Sequence, residues 1–231
     1  MTLEQLLFSQ GFGTRYDCRG LIAAGKVSIN DAVIDDPDEE VDFEDGDTFC
    51  VDGVVWPYYK KAILVMNKPE HFECSAKPLA HPSVNSLLPA PLRKRNVQPI
   101  GRLDEDTTGL LLFTDDGKLN HVLTHPKKKV AKIYEVGLRH PVTQAFVDTL
   151  LAGVVLRDTN EKVQAADCEI INDLMIRLTI TQGKYHQVKR MVAAASNRVQ
   201  SLRRVQFGKL VLPEELAPGE WKWIPSSSEI L

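Results

Sequence analysis

Pro99-Ile100-Gly101-Arg102-Leu103-Asp104-Glu105-Asp106-Thr107-Thr108-Gly109-Leu110-Leu111-Leu112-Phe113-Thr114-Asp115-Asp116-Gly117 decides how the rest of the chain is read. Two short apolar runs, Ile100–Leu103 and Leu110–Phe113, enclose a polar turn with three consecutive acidic residues. Runs of this length suit buried strands, although periodicity alone does not separate them from a buried helical segment. Asp115-Asp116-Gly117 is a turn signal that closes the second run. A carboxylate-rich loop held between two such runs places charge over a rigid scaffold, where function often resides.

Upstream, Ala62–Met66 is a short apolar strand ending at Asn67-Lys68-Pro69, and Ser83 caps a short helix over Val84–Leu88. Arg93, Lys94 and Arg95 form a basic cluster just before the central stretch. Solvated surface and phosphate neutralisation are equal readings of it. Downstream, Leu119, Val122 and Leu123 form a helical stripe ending before Pro126. His121 and His125 stand four apart there, but no Glu completes a metalloprotease-type pattern, so no metal is expected. Lys132-Ile133-Tyr134 opens a strand, and Leu174, Ile176, Leu178 and Ile180 alternate as a strand with one face buried. Gln182–Met191 turns into a helix. Val188, Met191, Val192 and Ala195 face the core, while His186, Lys189 and Arg190 share another face.

These segments, in this order, resemble the motifs of RNA pseudouridine synthases: Gly101-Arg102-Leu103-Asp104 with Asp106-Thr107-Thr108-Gly109-Leu110, Lys132-x-Tyr134, and His186-Gln187-Val188-Lys189-Arg190. The resemblance implies an enzyme that isomerises a uridine in RNA to pseudouridine without cofactor or metal. It makes Asp104 the catalytic aspartate, Tyr134 the ring that stacks on the target base, and Lys189 the basic partner of Asp104. Val188 would pack near the base, Arg102 would enter the space the base leaves or hold a phosphate, Lys68 would contact phosphate or stabilise the active-site loop, and Arg190 would meet RNA. The His186–Arg190 variant, with Leu216-Ala217-Pro218-Gly219-Glu220, looks closest to the branch acting on small-subunit (16S) ribosomal RNA. That likeness implies uridine 516, in the usual bacterial numbering, as the target. A 23S enzyme of the same family and a non-catalytic ribosome-assembly factor are the alternatives. Asp104-Glu105-Asp106-Thr107-Thr108 also spells the Asp-x-Asp-x-Thr of Mg²⁺-dependent phosphatases, but it lacks the preceding β-branched strand and the alternating strands and helices of that class.

The first 57 residues carry a second resemblance. Thr2-Leu3-Glu4-Gln5 and Thr14–Asp17 both fit capping boxes, Gly25 ends the second helix, and short strands follow. The segment from Thr14-Arg15 to Asn30 resembles the S4 RNA-binding domain, which would give Arg15, Arg19 and Lys26 to RNA. The expected division is therefore an S4-like domain at 1–57 and a catalytic domain at 58–231, with Asp52–Tyr59 as linker. The fold class is α+β: a small S4-like α/β unit plus a larger mixed, mainly antiparallel sheet flanked by helices and holding a cleft.

Composition agrees with a globular protein: 231 residues, 43% hydrophobic and 26% charged. No apolar run nears the roughly 20 residues of a membrane span, and no secretory signal is visible. Cys18, Cys50, Cys74 and Cys168 are scattered, as reduced cytoplasmic thiols are. The net charge of −3 hides an asymmetry. Residues 1–57 hold 3 basic and 13 acidic residues, leaving 25 basic and 18 acidic beyond them. A polyanion prefers the second part. The expected partner is ribosomal RNA or a pre-ribosomal particle, bound by a cytoplasmic monomer.

Overall fold

A computed structural model describes residues 1–231. Helices α1 (Leu3–Ser9) and α2 (Arg15–Ala23) each begin with the capping box read in the sequence. Strands β1 (Val27–Ile29), β2 (Ala32–Val33), β3 (Thr48–Val51) and β4 (Val54–Pro57) form a sheet in the order β2-β1-β3-β4. Asn30-Asp31 and Asp52-Gly53 both have positive φ at their two residues, the geometry that matches a tight hairpin to strand twist. The expected linker at 52–59 is therefore mostly structure: Asp52-Gly53 is a turn, and Val54–Pro57 is the sheet's last strand. Tyr58 still packs edge-on against Phe43.

The second unit begins with β5 (Ile63–Lys68), buried along its whole length. A short 3₁₀ turn over Val84–Leu87, capped by Ser83, leads to α3 (Ala90–Lys94). Next come β6 (Gln98–Ile100), β7 (Thr108–Thr114), α4 (Gly117–Thr124) and β8 (Lys132–Leu138). Helix α5 (Gln144–Ala152) precedes a hairpin of β9 (Val154–Leu156) and β10 (Glu161–Val163). The chain ends with β11 (Asp167–Asn172), β12 (Met175–Ile180), α6 (Gln187–Ala194), β13 (Val199–Phe207), β14 (Leu210–Val211) and β15 (Trp221–Trp223). The large sheet runs β11-β12-β8-β13-β7-β5-β15, with β6 beside β7 and β14 beside β13. Only β13 and β7 pair in parallel; every other pairing is antiparallel. The mixed sheet flanked by helices is the α+β arrangement expected.

The first apolar run of the central stretch stops earlier than its pattern suggested. Strand β6 ends at Ile100, because Gly101 turns at φ +61°. Arg102, Leu103 and Asp104 therefore lie in the loop. The core is continuous from Leu3 and Leu6 of α1 through Trp56 and Tyr58 to the large sheet. No helix is long and apolar enough to cross a membrane.

Candidate active site

Antiparallel and parallel registers together place five residues in one row across the sheet. Leu178 opposes Tyr134, Tyr134 opposes Arg204, Arg204 meets Gly109, and Gly109 opposes Lys68. Above this row lies a cleft of about 950 Å³ lined by Asp104, Lys132, Tyr134, Val188, Lys189 and Arg204, among others. Its walls are the 101–107 loop on one side and the start of α6 on the other.

Lys68 fixes the first wall from beneath. It is fully buried, and its Nζ donates to the carbonyl oxygens of Pro69 (2.9 Å), Glu105 (3.2 Å) and Thr107 (2.9 Å). Burial lowers its pKa, and the nearby acidic loop only partly restores it. Lys68 therefore holds the loop, one of the two roles its place after the strand suggested. Its three donors suit three converging carbonyls, and these consume its hydrogen-bonding capacity. The backbone N–H of His71 donates to Glu105 O at 2.8 Å, at φ +65°.

The second wall is the N-terminus of α6. His186 takes a left-handed conformation, φ +47°, and starts the helix. Its Nε2 lies 3.2 Å from Asp104 Oδ1, while Lys189 Nζ lies 3.1 Å from Asp104 Oδ2 and 2.6 Å from Asp106 Oδ1. Asp104 is thus gripped on both oxygens, with 28% of its side chain still exposed. Burial pulls the Lys189 pKa down, but its bonds to Asp106 and Asp104 outweigh this and raise it. Asp106 shows the mirror image: burial raises it, and Lys189 brings it below the usual carboxylate range.

Arg190 lies outside this grip. It pairs with Asp158, donates to Tyr185 O (2.9 Å) and Thr159 Oγ1 (3.2 Å), and so ties α6 to the β9–β10 turn. The Lys184–Glu161 pair at 2.7 Å adds a second tie. The RNA contact expected of Arg190 therefore competes with these bonds through Nη1 and Nη2, while its Nε is buried without a partner.

Tyr134 is buried yet lines the cleft, and Val188 sits beside it in the same lining. Arg102 is exposed at the rim with no ion pair. Sequence reasoning passed over three residues here. His186 was grouped with Lys189 by helical spacing but given no role. Asp106 was treated only as part of the motif. Arg204, 1% exposed and lining the cleft, belongs to none of the motifs; a buried arginine in a strand leaves no periodic signal.

The three S4-side cations are also spoken for. Arg15 and Arg19 grip Glu4 at 2.6 and 2.7 Å, and Arg19 also meets Asp38 at 2.9 Å. Lys26 lies 3.3 Å from Asp52. Each balances an acid of its own domain, so the expected RNA grip from these residues is not prepared in this structure. Arg95 departs from expectation too. Its side chain is 3% exposed and braces the two units, binding Asp115 through Nε and Nη2, Gln10 Oε1 at 2.6 Å, and Tyr59 O at 3.0 Å. His121 and His125 lie with their rings tilted at 40° to each other at the end of α4, where His125 Nδ1 accepts from Lys127 N.

The comparisons with known proteins agree with one another. Residues 62–194 match the family described as RNA pseudouridylate synthase, and residues 1–47 match the S4 domain. The chain is 35% identical over 229 residues to the ribosomal small subunit pseudouridine synthase A of Vibrio cholerae, covering 97% of this chain and 96% of that one. An uncharacterized RNA pseudouridine synthase of Bacillus subtilis is 38% identical over 226 residues, covering 96% and 94%. A crystal structure of a pseudouridylate synthase superposes with a TM-score of 0.69 at 33% identity, covering 100% of this chain and 98% of that one.

Proposed function

Because the chain belongs to the RNA pseudouridylate synthase family, we propose that it converts one uridine of small-subunit (16S) ribosomal RNA to pseudouridine, with Asp104 as the catalytic carboxylate. The substrate reading is supported by relatives named ribosomal small subunit pseudouridine synthase A, and uridine 516 is our proposed target within it. The observation that carries the reading is the placing of Asp104: both oxygens held by His186 and Lys189, over a cleft that Tyr134 and Val188 line.

The chemistry assigns each group a task. A stacked uridine must leave its helix, at a cost of a few kcal/mol. Tyr134 offers an aromatic face to the extruded base, and stacking of this kind returns about 1–3 kcal/mol. Asp104, held by Lys189, acts on the uridine so that the N1–C1′ bond breaks. The base turns, C5 bonds to C1′, and the C5 proton leaves while N1 regains one. Atoms balance without cofactor or metal. The enzyme acts as a cytoplasmic monomer on ribosomal RNA or an assembly particle, with residues 58–231 as the catalytic part.

Asp104→Asn is isosteric and should fold like the wild type. With uridine tritiated at C5, tritium release should fall by at least about a thousandfold while RNA binding persists. Substantial release from Asp104→Asn would overturn the assignment.

A further inference from the structure

Every buried or half-buried cation near the cleft has an acid or a set of carbonyls to meet its charge, except two. Lys189 has Asp104 and Asp106, Lys184 has Glu161, and Arg190 has Asp158. Arg204, 1% exposed, has no carboxylate partner: Nε donates to Leu110 O at 2.8 Å, Nη1 is 3.5 Å from Tyr134 Oη, and Nη2 is buried with no partner. Lys132, 5% exposed, donates to Val130 O at 3.0 Å. Burial, with the Arg204 charge added, brings its pKa down to about 8, and no acid opposes the shift. Both cations rest on the ring of Phe207, Lys132 Nζ at 4.7 Å and Arg204 Cζ at 5.1 Å from its centroid.

Two like charges buried side by side, with an unfilled donor between protein and cleft, are unfavourable in the free protein. A uracil carbonyl would fill one N–H but leave both charges uncompensated. A phosphate supplies the missing charge and the acceptor oxygens together. Guanidinium and ammonium are the two side chains suited to it, one as a fork and the other as a point charge. The catalytic loop is packed against this same spot. A Cβ on Gly101 would lie 2.9 Å from the Phe207 ring and 3.5 Å from Arg204 Nη1, so the loop that carries Asp104 abuts the ring and the guanidinium. Arg204 is also the cross-strand partner of Tyr134.

We propose that Arg204 and Lys132 form a subsite for one backbone phosphate adjoining the target nucleotide, which positions the base against Tyr134 and the ribose beneath Asp104. This rests on the function proposed above. Arg204 and Lys132 are binding residues here, distinct from the Asp104–Lys189 pair.

The test replaces the phosphate charge and the protein charge separately. RNA substrates carry a single neutral methylphosphonate either 5′ or 3′ to the target uridine, and kcat/KM is measured for the wild type, Lys132→Met and Arg204→Gln. One of the two linkages should cost the wild type about tenfold or more, and the same linkage should cost either variant less than about twofold. Equal losses in wild type and variants would overturn the subsite. If Arg204→Gln does not fold, Lys132→Met carries the comparison. Should no substrate yield pseudouridine, the function fails but the subsite is still decided by titrating the RNA-free protein. One of uridine 5′-monophosphate and uridine 3′-monophosphate should bind about tenfold tighter than uridine to the wild type and no tighter to Lys132→Met. No difference in the wild type would overturn the subsite.

Discussion

At the scale of single residues, two buried lysines, Lys68 and Lys132, differ in what they meet, and that separates their effects. Lys68 meets only carbonyl oxygens. Lys68→Met should leave these unsatisfied and cost about 3 kcal/mol, read as a lower urea midpoint without RNA present. A phosphate-binding lysine would instead lose RNA affinity at unchanged stability. Lys132 gives a different signature. Its folded pKa of about 8 lies below the ordinary 10.5, so folding disfavours its charged form. The cost is fully present below pH 8 and fades as pH rises towards 10.5. The wild type should therefore gain about 2–3 kcal/mol on Lys132→Met between pH 7 and 10, measured by paired urea titrations. A constant gap would show that the ammonium is not desolvated. Asp104 and Lys189 were legible in the sequence because a short motif carries each. His186 and Arg204 were not. One depends on a left-handed turn that aims its ring back at Asp104, the other on a pairing between strands about ninety residues apart.

At the scale of elements, the apolar patterns read well where one face or both faces are buried. Strand β12 buries Ile176, Leu178 and Ile180 as its alternation required, and α1 buries Leu3, Leu6 and Leu7. The reading failed at ends, where turn geometry decides. Gly101 cuts β6 short, and Asp52-Gly53 makes a hairpin of an expected linker. Gly109 marks the tightest place in the sheet. Its φ is +96°, and a Cβ would collide with the Arg204 carbonyl oxygen across the parallel pair. Gly109→Ala should force β7 and β13 apart, lowering stability by about 2 kcal/mol or more and activity further, since Arg204 moves with its backbone. Full stability in Gly109→Ala, by thermal unfolding, would show that the seam can yield.

At the scale of the whole molecule, the two units behave as one body. Trp56 of the first packs edge-on against Trp223 of the second at 5.7 Å, Tyr59 stacks on Trp223 at 5.0 Å, and Arg95 bridges them. Gly11, at φ +85°, lies so close to the Pro91 carbonyl that a side chain has no room. Arg95→Met would strand Asp115 and should cost about 3–5 kcal/mol. In differential scanning calorimetry it should split one unfolding transition into two. A single unshifted transition would mean the bridge is dispensable. Charge asymmetry was plain in the sequence, but its use was not. The acids of residues 1–57 serve partly to hold Arg15, Arg19 and Lys26 in place, a pairing that counting cannot show.

The lone parallel pairing, β7 with β13, has a consequence for how the protein is made. The loop bearing Asp104 is translated early, yet the strand that floors it and the helix that grips it arrive only after residue 186. While the ribosome is still adding those residues, the aspartate has no partner lysine and no cleft. Competence therefore comes late and all at once, as long-range pairing closes a large loop. A nascent chain stalled before Val199 would carry the motif that names the family and remain inert towards RNA.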